Sequence, residues 1–133
     1  MRHVLVVEDD PHNALLFRKL LERRGGFTVA VTESAEELMR HARSGEVDLV
    51  ILDVSLANTT WQGHPANGID LCRALKSDPS TASVPVVLAT AHAMRGDAER
   101  FVQESGADGY VSKPILDHAA FVTQVQGWCR KAA

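Results

Sequence analysis

The sequence predicts an α/β fold in which a parallel sheet of five strands carries helices on both faces. Short apolar runs typical of buried strands alternate with amphipathic segments typical of helices, and the alternation occurs five times. Such an alternation favours a parallel sheet with right-handed crossover connections. The length of 133 residues and the 45% of hydrophobic residues fit one core. We therefore expect a single (βα)5 domain over residues 1–133.

The first strand and the first helix have clear boundary signals. Residues 4–7 form an unbroken apolar run, as expected of a strand that is buried on both faces. Asp10 can cap the following helix, Pro11 suits its first turn, and a glycine pair at 25–26 can end it. The apolar stripe of this helix is expected to contain Leu15, Leu16, Leu20 and Leu21.

The second strand is expected to lie near an edge of the sheet. Residues 27–32 alternate between apolar and more polar side chains, which is typical of a strand that is buried less evenly. Ser34 and Glu37 form an S-x-x-E capping box at the start of the second helix, which stops near Gly45.

The second half of the chain continues the alternation after a long loop. The third strand, 48–52, is apolar throughout and runs directly into Asp53, and the loop that follows extends over about residues 54–68. The remaining expected elements are a helix from Gly68 to about Asp78, a strand over 84–90, a helix from about Arg95 to Gly106, a short strand within 108–114, and a last helix that Asp117 can cap.

Polar side chains stand where the predicted strands end. Glu8 and Asp9 follow the first strand, Asp53 the third, Thr90 the fourth and Lys113 the fifth. The carboxyl ends of parallel strands meet at one rim of a sheet, so these groups are expected to lie together. Ionised carboxylates at short range repel one another, and a divalent cation relieves that repulsion. Hard oxygen ligands in an open site favour Mg²⁺, and Mn²⁺ is the alternative.

Four segments carry a resemblance to a known family. In order and spacing, VLVVEDD, LVILD, VVLAT and YVSKP resemble the receiver domain of two-component response regulators, and the resemblance covers essentially the whole chain. It implies a CheY-like, flavodoxin-like sheet with strand order 2-1-3-4-5. It also implies that Asp53 is the phosphoacceptor. The donor would be a phosphohistidine on a sensor histidine kinase or on a histidine phosphotransfer protein.

The resemblance assigns further roles at the rim. Glu8 and Asp9 would hold Mg²⁺ together with Asp53 and the backbone carbonyl of Ser55. Thr90 would hydrogen-bond the phosphoryl group, and Lys113 would pair with it. A cis peptide bond between Lys113 and Pro114 would aim the lysine. Tyr110 would change rotamer with Thr90 and so alter a partner-binding face. His92 and the side chain of Ser55 are candidates for tuning the phosphoryl lifetime.

The loop after Asp53 departs from the family pattern. Ala57-Asn58 stands where the family usually has a methionine-proline pair, and Gly68 comes fifteen residues after Asp53, which implies an insertion of about seven residues. Trp61 suggests that the insertion contacts a partner or folds over the acid pocket, because an indole in a polar loop tends to find a surface to bury against. The alternative is a tolerated surface insertion in which Trp61 packs locally.

Three other functions compete with a phosphorylated switch. A haloacid-dehalogenase-like phosphatase also places an aspartate at a strand end with Mg²⁺, but it needs a second carboxylate two residues later, where this chain has Ser55. A flavodoxin-like cofactor binder needs a phosphate loop after the first strand, and EDDPHN is acidic. A degenerate receiver would usually lack the acids kept here. We therefore expect no enzyme acting on outside substrates.

Composition limits the partners. The formal net charge of -3 does not suggest nucleic-acid or anionic-membrane binding, and no stretch has a transmembrane length or the apolar core of a signal peptide. Cys72 and Cys129 lie in helical apolar patterns, which favours buried free thiols and a reducing cytoplasm. Only nineteen residues follow Pro114, so we expect no effector domain. Output would then pass to an unknown downstream protein or along a phosphorelay, from a monomer or a weak dimer.

Overall fold

The computed structural model describes residues 2–56, 59–91 and 96–129, and in these ranges strands alternate with helices. The strands are β1 (His3–Val7), β2 (Thr28–Thr32), β3 (Leu49–Asp53), β4 (Thr60–Trp61), β5 (His64–Pro65), β6 (Val86–Thr90) and β7 (Gly109–Ser112). The helices are α1 (Pro11–Gly25), α2 (Ala35–Ser44), α3 (Gly68–Ser77), α4 (Asp97–Ser105) and α5 (His118–Trp128). None of the helices in this part of the chain combines the length and the apolar character needed to cross a membrane.

Five strands form one parallel sheet in the order β2-β1-β3-β6-β7. Numbered among these five alone, the order is 2-1-3-4-5, so the predicted topology is confirmed. β2 lies at an edge, as its alternating pattern predicted, and β7 lies at the other edge. The strand order reverses between β1 and β3, and in such sheets the carboxyl ends at the reversal form a crevice.

The sheet separates two apolar clusters because successive strand residues point to opposite faces. On one face α2, α3 and α4 cover the strands, with Leu38, Leu52, Leu71 and Leu88 among the buried side chains. On the other face α1 and α5 cover the strands, with Phe17, Ile51, Val111 and Phe121 among the buried side chains. Full burial of one such side chain stabilises the fold by about 1.5–3 kcal/mol. These buried contacts hold the central strands between the two helix layers.

The predicted stripe of α1 is wrong at Leu15. The buried residues of α1 are Ala14, Phe17, Leu20 and Leu21. Leu16 packs only partly against the α1–α5 cluster, and Leu15 is 51% exposed. The stripe is centred on Phe17, whose ring faces Phe121 of α5 at 5.6 Å between centroids. At 3.6 residues per turn, this arrangement turns Leu15 towards solvent.

The capping predictions hold at α1 and α5 and hold in part at α2. Asp10 accepts hydrogen bonds from the first turn of α1, and Asp117 does so at α5. Ser34 accepts from the Glu37 amide as expected. The return half of the box is replaced, because Thr32 Oγ1 both accepts from the Ser34 amide and donates to the Glu37 carboxylate.

The long loop after β3 contains a small hairpin that the sequence analysis did not predict. β4 and β5 pair antiparallel, and the two residues between them, Gln62 and Gly63, have φ values of 55° and 81°. Positive φ at both central residues is the geometry of a tight hairpin turn. Trp61 packs against the cluster beneath α2 and α3, as the local-packing alternative expected.

Candidate functional site

The predicted rim exists at the carboxyl end of the sheet. Glu8 follows β1, Asp53 ends β3, Thr90 ends β6 and Lys113 follows β7. These four strands are consecutive neighbours, so their last residues lie side by side. Glu8 and Asp53 are only 4% and 3% exposed, which is unusual for carboxylates and requires partners close at hand.

Lys113 supplies that partner for both carboxylates. Its Nζ lies 3.0 Å from Asp53 Oδ1 and 3.2 Å from Glu8 Oε2, and its side chain is 11% exposed. Its backbone amide donates to the Thr90 carbonyl at 2.8 Å, and the bond to Pro114 is cis, as expected. Burial alone would lower the pKa of Lys113, but its hydrogen bonds and charge interactions with Asp53 and Glu8 raise it above the ordinary value. The ammonium is therefore charged at neutral pH.

Two sets of contacts position Asp53, one at its carboxylate and one at its backbone carbonyl. Asp53 Oδ1 accepts from the Ser55 amide at 3.1 Å as well as from Lys113. On the other side, a Cβ atom added at Gly68 would lie 2.1 Å from the Asp53 carbonyl oxygen. The Gly68 amide also donates to the Val54 carbonyl at 3.1 Å. Only glycine permits this close approach of the two backbone segments.

Glu8 is held through its own backbone and titrates abnormally. Its amide donates to the Thr32 carbonyl at 3.1 Å, and its Oε1 accepts from the Asp10 amide at 3.2 Å. Burial, followed by the hydrogen bond and the charge of Asp53, raises the pKa of Glu8 from 4.5 to about 7, although Lys113 opposes the rise. Without a metal, Glu8 is therefore partly protonated near neutral pH.

The three acids of the rim fit a divalent cation. Glu8, Asp9 and Asp53 can each offer one oxygen, and these oxygens all lie within 4.8 Å of one another. Three carboxylates opposed by one ammonium leave a formal charge of about two negatives, which a divalent ion neutralises. Hard oxygen donors beside a half-buried Asp9 match Mg²⁺, which keeps several of its own waters.

The other predicted site residues fall at different distances from this cluster. Thr90 is 1% exposed at the end of β6, one residue beyond the strand partner of Asp53. Ser55 is exposed, and its amide contacts Asp53. Tyr110 lies on β7, where its hydroxyl donates to Glu99 Oε1 of α4 at 3.2 Å. His92 lies outside the described residues.

Two contacts were missed by the sequence analysis, the one between Gly68 and Asp53 and the one between Tyr110 and Glu99. Gly68 was noted only for its spacing from Asp53. The signal that was available is a glycine at the first position of a helix, where helix formation itself does not require glycine. The Tyr110–Glu99 hydrogen bond joins two elements whose relative placement depends on the packing of α4. No sequence pattern predicts such a pair.

Comparison with known proteins gives one family. The family model described as the response regulator receiver domain matches residues 4–126. Among curated proteins, the polar-differentiation response regulator DivK of Brucella ovis is 36% identical over 114 residues, which cover 86% of this chain and 85% of that protein.

Solved structures agree with that match. The receiver domain of a sensor histidine kinase from Pseudomonas aeruginosa PAO1, which has a magnesium ion coordinated in its active site cleft, is 26% identical with a TM-score of 0.77, and the match covers 96% of both chains. A sensor protein from Polaromonas sp. JS666 is also 26% identical with a TM-score of 0.77, covering 96% of this chain and 94% of that one.

Proposed function

The chain belongs to the response regulator receiver domain family, and on that premise we propose that Asp53 accepts a phosphoryl group from a phosphohistidine donor. The observation that carries the proposal is the position of Lys113, whose ammonium contacts Asp53 and Glu8 at once. A buried cation between two buried carboxylates is costly to assemble for stability alone, because each charge loses its hydration. The same arrangement suits the transfer of a charged group to one of them.

The transfer makes one bond and breaks one. A carboxylate oxygen of Asp53 attacks phosphorus, the P–N bond of the phosphohistidine breaks, and its electron pair leaves with the imidazole ring. The product is an acyl phosphate on Asp53. Lys113 contributes by pairing with a phosphoryl oxygen, and the Ser55 amide keeps the Asp53 carboxylate oriented.

Glu8, Asp9 and Asp53 would hold Mg²⁺, with the backbone carbonyl of Ser55 as a further ligand, and Mn²⁺ is the alternative ion. When bound, the ion supplies positive charge that offsets the negative charge of the transferring oxygens. Glu8 then has to be ionised, so metal binding releases the proton that it holds near neutral pH.

The proposed switch uses Thr90 at the rim and Tyr110 on the edge strand β7. Thr90 hydrogen-bonds the arriving phosphoryl group, and Tyr110 changes rotamer with it. Support comes from the burial of Thr90 beside the strand partner of Asp53 and from the half-exposed position of Tyr110 between β7 and α4. Ser55 and His92 are the proposed modulators of phosphoryl lifetime.

Receiver domains interact with histidine kinases and with downstream proteins. For this chain we propose a sensor histidine kinase or a histidine phosphotransfer protein as donor. We also propose a cytoplasmic location, which the two buried free thiols, Cys72 and Cys129, support. Hydrolysis is proposed only for the phosphoryl group on Asp53, because the residue two positions on is Ser55, which cannot serve as a general acid in the manner of a phosphatase carboxylate.

The test is the intact mass of the protein after incubation with acetyl phosphate and Mg²⁺. We expect one phosphoryl adduct, which is lost in Asp53→Asn and when the metal is chelated. The matched control is Asp48→Asn, which changes an aspartate at the opposite end of the same strand and should leave the adduct intact. An adduct that persists in Asp53→Asn would refute the assignment.

The phosphatase alternative is tested separately. Wild-type protein is incubated with p-nitrophenyl phosphate and Mg²⁺, and product release is followed by absorbance. Sustained turnover with Asp53 intact, lost in Asp53→Asn, would replace the switch by an enzyme of outside substrates. We expect no turnover above that of the Asp53→Asn variant.

A further inference from the structure

The segment 59–67, here called the hairpin segment, re-enters the fold beside Asp53. It contains β4 and β5 and ends at Asn67, whose side chain caps α3. The next residue is Gly68, which lies against the Asp53 carbonyl. The hairpin segment therefore ends at the backbone that carries the proposed phosphoacceptor.

At the other end of the hairpin segment, Thr59 bonds the turn that follows β2. The side chain of Thr59 is buried, with the residue 6% exposed, and its hydroxyl donates to the Glu33 carbonyl at 3.0 Å. Glu33 follows Thr32, and the Thr32 carbonyl is the acceptor for the amide of Glu8. One hydroxyl thus connects the hairpin segment to the turn that positions a proposed metal ligand.

The two ends of the hairpin segment are joined to each other. The Ala66 amide donates to the Thr59 carbonyl at 3.0 Å, and Ala66 is itself buried beneath α2 and α3. Leu56, on the chain leaving Asp53, is buried in the same cluster. A continuous set of contacts therefore runs from Glu8 through Thr59 to the Asp53 backbone, and it consists of hydrogen bonds and buried apolar contacts.

We propose that Thr59 is a positioning residue for the acid site: its hydroxyl, acting through the hairpin segment, fixes the spacing between the Glu8 and Asp53 carboxylates. The inference rests on the proposed function, since that spacing matters only if the two groups hold Mg²⁺ for phosphoryl transfer. When residues that orient metal ligands without binding the metal are substituted, metal affinity commonly changes by about 10- to 100-fold. Thr59 acts through intervening backbone, so we place its effect near the lower figure.

The neighbouring residue provides a matched control. Thr60, the first residue of β4, has the same side chain directly after Thr59, but it is exposed, so its methyl and hydroxyl groups face solvent. Thr59→Val and Thr60→Val each replace a hydroxyl by a methyl group at constant shape. Thr59→Ser keeps the donor and removes only the methyl group.

The experiment measures Mg²⁺ affinity by calorimetry and the rate of adduct formation from acetyl phosphate by intact mass. Both are measured on the full chain, with urea unfolding to confirm that each variant is folded. We expect Thr59→Val to raise the Mg²⁺ dissociation constant by about tenfold and to slow phosphorylation. Thr60→Val should match the wild type, and Thr59→Ser should restore tight binding.

Equal Mg²⁺ affinity in Thr59→Val and Thr60→Val would overturn the inference, even if Thr59→Val is less stable, because stability alone requires no change at the acids. Failure of Thr59→Ser to restore affinity would overturn the role of the hydroxyl. If wild-type protein binds Mg²⁺ but forms no adduct, the proposed function fails, while the affinity comparison still decides the role of Thr59.

A measurement on the wild type decides the case if Thr59→Val does not fold. Coupling between two sites is reciprocal, so a hairpin segment that positions the acids must itself be stabilised when they bind metal. We expect Mg²⁺ to slow hydrogen exchange at the Ala66 amide, whose acceptor is the Thr59 carbonyl. An exchange rate at Ala66 that does not change with Mg²⁺ would refute the coupling.

Discussion

The raised pKa of Glu8 makes the stability of the metal-free protein depend on pH. Glu8 has a pKa of about 7 in the folded protein against an ordinary value of 4.5. A carboxyl group with a raised pKa contributes stability that is fully present below its unfolded value, and this stability is lost as pH rises through the folded value. Without metal, the contribution of Glu8 should therefore decline between about pH 4.5 and pH 7 and be absent above that range.

The size of the effect follows from the same two values. One pKa unit corresponds to about 1.4 kcal/mol, so a rise from 4.5 to about 7 corresponds to about 3 kcal/mol. The side chain of Glu8 is 1% exposed, so solvent screening does not reduce this figure much. A domain of this size is stable by about 5–15 kcal/mol, so the loss is a large fraction of the total.

The variant that isolates the effect is Glu8→Gln. A glutamine has nearly the shape of a protonated glutamate and can donate to Asp53 as the protonated group does, but it does not titrate. The measurement is urea unfolding of both proteins, in chelator, from below the ordinary pKa of glutamate to well above neutrality. Subtraction removes the titration of the histidines and of other groups common to both proteins.

Relative to the wild type, Glu8→Gln should be about equally stable at low pH and about 3 kcal/mol more stable above neutrality. Saturating Mg²⁺ should remove the wild-type loss, because the metal stabilises ionised Glu8, and it should do less for Glu8→Gln. A difference between the two proteins that stays constant across the pH range would refute the raised pKa of Glu8.

Three further predictions concern the surrounding scaffold. Gly68→Ala should lower the free energy of urea unfolding by at least about 2 kcal/mol, because a Cβ there overlaps the backbone of Asp53. The control is Gly127→Ala, in open space on α5, which should raise it by up to about 1 kcal/mol. Equal effects would contradict the contact between Gly68 and Asp53. Lys76→Met should lower it by about 1–3 kcal/mol, since the ammonium donates to two loop carbonyls and one carboxylate; an unchanged unfolding midpoint would count against this. Glu99→Gln should lower the pKa of Tyr110, which the Glu99 charge raises, and the change is readable by ultraviolet absorbance because the chain has one tyrosine; an unmoved titration curve would exclude the contact in solution.

The sheet was predictable because its central strands need little context. A run such as 49–52 is apolar at every position, which is typical of a strand covered on both faces, and the alternation of five strands with helices favours a parallel arrangement. The rim followed from the same reasoning. Once Asp53 and Lys113 are known to stand at the carboxyl ends of strands in one parallel sheet, their presence at the same rim is a property of the topology and requires no knowledge of side-chain packing.

The parts that were not predictable depend on contacts between elements distant in sequence. Leu15 has the same apolar character as Leu16, and only the packing of Phe17 against α5 decides that Leu16 is partly buried and Leu15 exposed. The return half of the capping box at Ser34 was lost to Thr32, a residue of the preceding strand. In each case the local sequence allowed two residues of similar chemistry to fill one role, and contacts with distant elements decided between them.

The hairpin segment is held at both ends against the rest of the fold. Its first residue, Thr59, is buried, and Gly68, which follows its last residue, is buried as well. Trp61 packs on the α2–α3 cluster and Thr59 bonds the turn between β2 and α2, so the hairpin segment is fixed relative to both. A segment anchored in this way leaves Asp53 at the end of β3. It also ties Asp53 to the segment beside Glu8, and the comparison of Thr59→Val with Thr60→Val tests that coupling.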